Sequence, residues 1–112
     1  MHDPKKLVLR YYNRETLCSV ICADYEHRTV TVENNEEVRF YQKAFGNTPV
    51  PTWEQYEEFL ESRCIPRDRG GLREYLDVIG VEDYDPLSII RKTKGRMAED
   101  GQWLEIAAEE SV

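Results

Sequence analysis

The residues best equipped for chemistry stand together in "SRCIPRDRGGLREYL", Ser62 to Leu76, where Arg63, Arg67, Arg69 and Arg73 meet a single aspartate, Asp68. Guanidinium forks at that density hold anions, either a phosphate or carboxylates supplied by the protein itself. Arg67, Arg69 and two glycines stand just ahead of an expected helix, whose free N–H groups would also favour an anion. The chain as a whole is acidic, with 15 Lys and Arg against 22 Asp and Glu and a net charge of −7. Neighbouring acids at Glu61, Glu82, Asp83 and Asp85 are therefore at hand, and the sequence favours salt bridges within the chain over anion binding.

A second group has the opposite sign. Glu54, Glu57, Glu58 and Glu61 recur at helical spacing with no lysine among them. Like charges three and four apart cost a few tenths of a kcal/mol per pair. Many such stripes are plain solvated faces. Tolerated repulsion here points to a basic partner, with Glu82, Asp83 and Asp85 around Tyr84 extending the negative surface. These seven carboxylates are the expected partner-binding residues.

Catalytic signatures are missing from the sequence: no glycine-rich phosphate loop with its lysine, no Gly-x-Ser-x-Gly elbow, no His-Glu-x-x-His helix and no kinase catalytic loop. His2 and His27 stand far from any nucleophile in sequence, and no acid/base pair can be singled out among 22 carboxylates. The expectation is a protein without catalytic residues and without a cofactor. Cys18, Cys22 and Cys64 are an odd number, which argues against a disulfide framework. Cys18 and Cys22 on one strand would stand roughly 13 Å apart, too far to share a zinc ion. A metal site using one of the three with His2 or His27 stays open, and buried free thiols are the commoner case.

The elements that must position these groups are legible in outline. "KLVLRYY", "TLCSVICADY" and "RTVTVEN" are rich in β-branched and aromatic residues and are separated by short turns, which predicts an antiparallel meander. In the second of these both faces are apolar, as in a strand covered on both sides. An edge strand is expected at Val38 to Tyr41. Thr52 and Gln55 form a capping box, so a first helix starts at Trp53 and ends near Arg63, before Pro66. A second runs from about Gly71 to Ile79 with Gly80 as its stop, and a third opens on Asp85 and Pro86 and ends at Gly95. "QWLEIA" reads as a last strand, and residues 107–112 as a loose tail.

At 112 residues this is one domain with its core over about 6–106, expected to be α+β: a three or four stranded antiparallel sheet with three short helices packed on it. No apolar run approaches the ~20 residues of a membrane helix, and the N-terminal residues lack the apolar core of a signal peptide. A soluble cytoplasmic protein is expected.

"FLESRCIPRDRGGLREYL" and "YDPLSIIRKTKGRMAEDGQWLEI" together resemble the segment that precedes the kinase core in HipA-like proteins of Firmicutes. The matching positions are Arg63, Pro66, Arg69, Leu76, Asp85, Gly95, Asp100 and Trp103, and the resemblance covers about half the chain. It implies a folded accessory module and no kinase, because the catalytic loops of that family lie in a core of several hundred residues that this chain lacks. Stand-alone versions resemble small proteins of phages and mobile elements, among which acidic anti-CRISPR inhibitors are a known class. Two functional expectations result. The first is an acidic inhibitor whose negative face fills the basic nucleic-acid groove of a protein partner such as a CRISPR nuclease, without itself binding nucleic acid. The second is a regulatory module of a HipA-like toxin–antitoxin system, docking through Trp103 and Tyr84.

Overall fold

The computed structural model describes residues 4–39, 42–46, 48, 50–97 and 100–111. Four strands, β1 (Lys6–Asn13), β2 (Thr16–Asp24), β3 (Thr29–Asn34) and β4 (Gln102–Glu110), form one antiparallel sheet in the order β3-β2-β1-β4. Three helices, α1 (Trp53–Ser62), α2 (Leu72–Ile79) and α3 (Pro86–Thr93), lie between β3 and β4 in sequence. The architecture is α+β, as the residue pattern predicts.

One face of the sheet carries the core. Leu7, Leu9 and Tyr11 of β1, Ile21 and Ala23 of β2, Val30 of β3 and Leu104 of β4 are buried against Tyr56 and Leu60 of α1, Leu76 of α2 and Leu87, Ile89 and Ile90 of α3. Each fully buried leucine or isoleucine contributes about 1.5–3 kcal/mol. The opposite face stays open: Arg10, Cys22, Thr31 and Glu33 are exposed, while Val8, Tyr12 and Val20 are half-buried. β2 is thus covered on one side, not two, and Cys22 faces outward.

Cys18 is buried for a local reason. The β1/β2 register steps from Tyr11↔Ser19 to Tyr12↔Leu17, so Cys18 is an extra residue in a bulge, and consecutive Cys18 and Ser19 both turn inward. A second bulge sits in β4, where Val8 pairs with Ala108 and Leu9 with Ile106, leaving Ala107 over.

The helix boundaries follow their caps. Thr52 Oγ1 accepts from Gln55 N and Gln55 Oε1 from Thr52 N, which completes the capping box. Gly80, with φ +80°, stops α2. Asp85 caps α3 through Ser88 N, with Pro86 at the first helical position.

Two further expectations need correction. Residues 107–110 are not a loose tail: β4 continues to Glu110, paired with Lys6 of β1, because the bulge restores its register. Val38 and Arg39 are not in a strand, and the remainder of the expected edge strand, Phe40 and Tyr41, lies outside the described residues. No helix among the described residues is long and apolar enough to cross a membrane.

Candidate functional site

α1 presents its acidic stripe as its spacing requires. Tyr56 and Leu60 are buried, Trp53 and Phe59 half-buried, and Glu54, Glu57 and Glu58 stand exposed on the opposite side. The seven carboxylates nevertheless divide into two sets. Glu61 pairs with Arg67, and Asp85 accepts from both Ser88 N and Ser88 Oγ, so these two serve the fold. Glu57 comes within 3.8 Å of Arg28, but both are more than half exposed and such a pair is worth little. Glu54, Glu58, Glu82 and Asp83 are exposed and make no ion pair among the described residues. The stripe and the α2–α3 connection are therefore only partly available to a partner. Arg91 and Lys92 also line the shallow depression that Glu82, Asp83 and Asp85 share, so that part of the surface carries both signs.

Three of the four arginines bind groups within the chain. Arg63 is buried, and all three of its guanidinium nitrogens donate: Nε to Gly95 O at 3.0 Å, Nη1 and Nη2 to the two Asp100 carboxylate oxygens at 3.0 Å each, and Nη2 also to Gln102 O at 2.9 Å. Burial is the largest single influence and would lower the Arg63 pKa, but the Asp100 hydrogen bond and the Coulombic pull of Asp100 and its other neighbours together outweigh it, and the group is held more firmly charged. The same bond holds the Asp100 carboxyl below its usual range. Arg67 pairs with Glu61 and lies 4.3 Å from the centroid of the Tyr84 ring. Arg73 donates to Asp77 and to the carbonyls of Val81 and Glu82, which ties α2 to the loop after it. Arg69 is exposed with no carboxylate partner among the described residues. The four do not converge on one anion site; Arg63, Arg67 and Arg73 fasten α1, α2 and β4 to their neighbours.

The cysteines are not brought together. Cys18 donates to Thr16 O within the core, Cys64 to Leu60 O and Pro86 O, and Cys22 is exposed on the open face. Burial pushes the Cys64 thiol up to about 12. His27 instead lies with Asp24 and Glu26 on the exposed β2–β3 turn, where three potential ligand atoms fall within 4.8 Å of one another. Asp24 already accepts from His27 Nδ1 and from His27 N, which holds its carboxyl low and accounts for the cluster as a turn lock. His2 lies outside the described residues.

A pocket of about 200 Å³ between the β2–β3 turn, α1 and the start of α3 is lined by Tyr25, Trp53, Tyr56, Glu57 and Asp85. Aromatic walls with two acids suit a cation. The three rings, however, pack on one another with centroids 4.8 to 6.0 Å apart, in direct edge or tilted contact. No cation fits between rings at that spacing, and Arg28 already covers Trp53 from outside at 5.6 Å.

The group that residue patterns missed surrounds Trp103. Its ring stacks on Tyr12 at 4.4 Å and 11°, its Nε1 donates to Arg14 O at 2.7 Å, and Arg96 and Lys94 lie 5.0 and 6.0 Å from its centroid. Arg14, Lys94 and Arg96 are exposed, and none has a carboxylate partner among the described residues. The signal in sequence is the basic run that outlasts α3, Arg91, Lys92, Lys94 and Arg96, of which the residues at the helix end also complement its dipole. Its spatial partner Arg14 belongs to the β1–β2 turn and could not be joined to it without the β1/β4 register. In comparisons with protein-family models, curated proteins and solved structures, no match to this chain is found.

Proposed function

We propose that this protein is a non-enzymatic cytoplasmic interaction module, accessory to a HipA-like kinase core, which it engages through the surfaces around Trp103 and Tyr84. The supporting observation is where the residues of the resemblance fall. Arg63, Gly95 and Asp100, distant in sequence, meet at one buried guanidinium, while Leu76 fills the core and Asp85 caps α3. A pattern made chiefly of residues that build the fold is what a shared architecture leaves behind. It leaves Trp103 as the matched aromatic on the open face. Co-expression with a HipA-like kinase core is expected to yield a complex that Trp103→Ala abolishes while the helix and strand content is retained. Failure of the two chains to co-purify would overturn this reading.

A second reading is favoured by the exposed, unpaired Glu54, Glu58, Glu82 and Asp83: an acidic inhibitor that occupies a basic nucleic-acid groove, as on a CRISPR nuclease, and competes with the phosphate backbone. Its test is Glu54→Lys with Glu58→Lys in a DNA-binding competition with the nuclease. Inhibition that is lost in this variant and weakens with salt supports the reading, and inhibition that persists removes the stripe from the mechanism. Charge reversal on α1 separates the two readings, because it leaves the Trp103 surface untouched.

A further inference from the structure

We infer that the corner of the open sheet face around Trp103 is a docking site for an acidic protein segment. The inference deepens the first reading above, on which it rests for the claim that this face is a contact surface, and it specifies the chemistry of what binds. In a chain of net charge −7, Arg10, Arg28, Arg63, Arg67, Arg73 and Arg91 all have acidic partners of their own. Lys6, Arg14, Arg69, Lys92, Lys94 and Arg96 make no ion pair among the described residues, and of these Lys94 and Arg96 lie over the Trp103 ring while Arg14 supplies the carbonyl that its indole N–H meets. Cations placed together without an internal counter-charge are a local surplus that an outside anion relieves.

The corner is also held in shape. Trp103 is fixed on one side by the Tyr12 stack and at its edge by the hydrogen bond to Arg14 O. Arg14 N donates to Gly101 O, and the Arg14 side chain lies across Gly101 so closely that a Cβ there would stand 2.9 Å from Arg14 Cγ. The α3 dipole accounts for Lys94, which caps that helix, but not for Arg14 or Arg96. A fixed aromatic base with the Arg96 guanidinium and the Lys94 ammonium over it, and the Arg14 side chain on the adjoining Gly101, suits carboxylates carried on a chain that also offers an apolar side chain to the ring.

Nucleic acid fits less well. A polyanion neutralises charge along a track, whereas these three cations occupy one corner and the neighbouring strand continues through Glu105, Glu109 and Glu110. A short acidic segment meets the corner without crossing that acidic strand.

The test is titration of the 15N-labelled protein, following the Trp103 indole Nε1–H resonance. The probes are a synthetic peptide rich in Asp and Glu with one Phe, its Asn/Gln counterpart, and an oligothymidylate of similar length. Expected are a saturable shift with the acidic peptide, none with the amide peptide, and affinity lowered at least about tenfold in Lys94→Glu/Arg96→Glu. If that variant loses its native amide dispersion, Arg14→Gln/Arg96→Gln provides the same comparison with a milder change. No shift with the acidic peptide, an undiminished shift in the folded variant, or tighter binding of the oligothymidylate overturns the inference. A kinase complex that survives Lys94→Glu/Arg96→Glu sinks only the docking chemistry, whereas acidic-peptide binding without any kinase complex sinks only the choice of partner.

Discussion

Arg63 and Asp100 stand 37 positions apart and meet in a two-pronged ion pair, with both N–O distances at 3.0 Å, at the point where the end of α1, the stop of α3 and the start of β4 converge. The guanidinium is 7% exposed and the carboxylate 37%. The two ends of the bond are therefore unequal in their demands. Replacing Arg63 with Leu leaves two carbonyls and a carboxylate without their donor, and is expected to cost about 3 kcal/mol or more. Asp100→Asn keeps one acceptor and has water within reach but leaves the buried guanidinium without its counter-charge, so its cost should be smaller, about 2 kcal/mol. Urea denaturation of the two variants measures both, and equal losses would contradict the asymmetry.

Gly95 completes the same junction from the backbone side. Its φ is +65°, and a Cβ would lie 3.2 Å from Leu104 Cδ1 and 3.3 Å from Arg63 Cβ, the latter a position close to the main chain that cannot swing away. Gly95→Ala combines a strained conformation with crowding and is expected to destabilise by more than about 1 kcal/mol. Gly70→Ala, with nothing within 4 Å of the added carbon, is the control and should change stability little. Thermal denaturation compares them.

The thiols should separate cleanly by reactivity. Cys22 is exposed on the open face, whereas Cys18 and Cys64 are buried and burial raises both of their pKa values. In the native state at pH 8 one thiol is expected to react promptly with an aromatic disulfide reagent and two only on unfolding. Cys22→Ser should abolish the prompt phase. A second prompt thiol in that variant would mean that the core opens locally.

Stability should fall at both extremes of pH for identifiable reasons. Asp100 and Glu109 have carboxyls lowered by hydrogen bonds from Arg63 and Arg91, so their contribution is present above the ordinary carboxylate range and is lost as acid protonates them. Burial raises Cys64 from 9.0 and Tyr11 from 10.0, each to about 12. The unfolded chain thus releases these protons first, and stability declines between about pH 9 and 12. Denaturant midpoints across pH check this, and Cys64→Ala should flatten the lower part of the alkaline decline.

α1 carries a repulsion that one change converts to attraction. Glu58→Lys places a lysine four residues after Glu54 on the exposed face, the favourable order for a helix pair. A gain of a few tenths of a kcal/mol is expected in the free protein. A loss of stability would mean that Glu58 has a structural partner.

What the sequence could and could not disclose divides along local and non-local lines. The capping box at Thr52 and Gln55, the Asp85–Pro86 helix start and the Gly80 stop depend on residues within a few positions, and all three appear as read. The one-sided burial of β2 depends on where the helices lie, so apolar content on both faces misled. The Cys18 bulge depends on register with β1, and β4 outran its apolar residues because pairing with β1 extends it through Glu109 and Glu110. For the site, Arg63, Arg67 and Arg73 find acidic partners within the chain and Arg69 finds none among the described residues, and the partner of Arg63, Asp100, was not among the acids near it in sequence. The Trp103 corner draws on three separate segments, and no local spacing could have assembled it.

The sheet order also bears on how the protein comes into being. β1 is an inner strand, flanked by β2 on one edge and by β4 on the other, so its second neighbour is the last of the four strands to be synthesised. Until then a row of backbone donors and acceptors beside Leu7, Leu9 and Tyr11 has nothing to pair with, a surface prone to sticking to other nascent chains. Arg63 is in the same position, charged and waiting for Asp100. Closing of the sheet therefore waits on β4, made after three strands and three helices, and its docking beside β1 is the step that seals the fold.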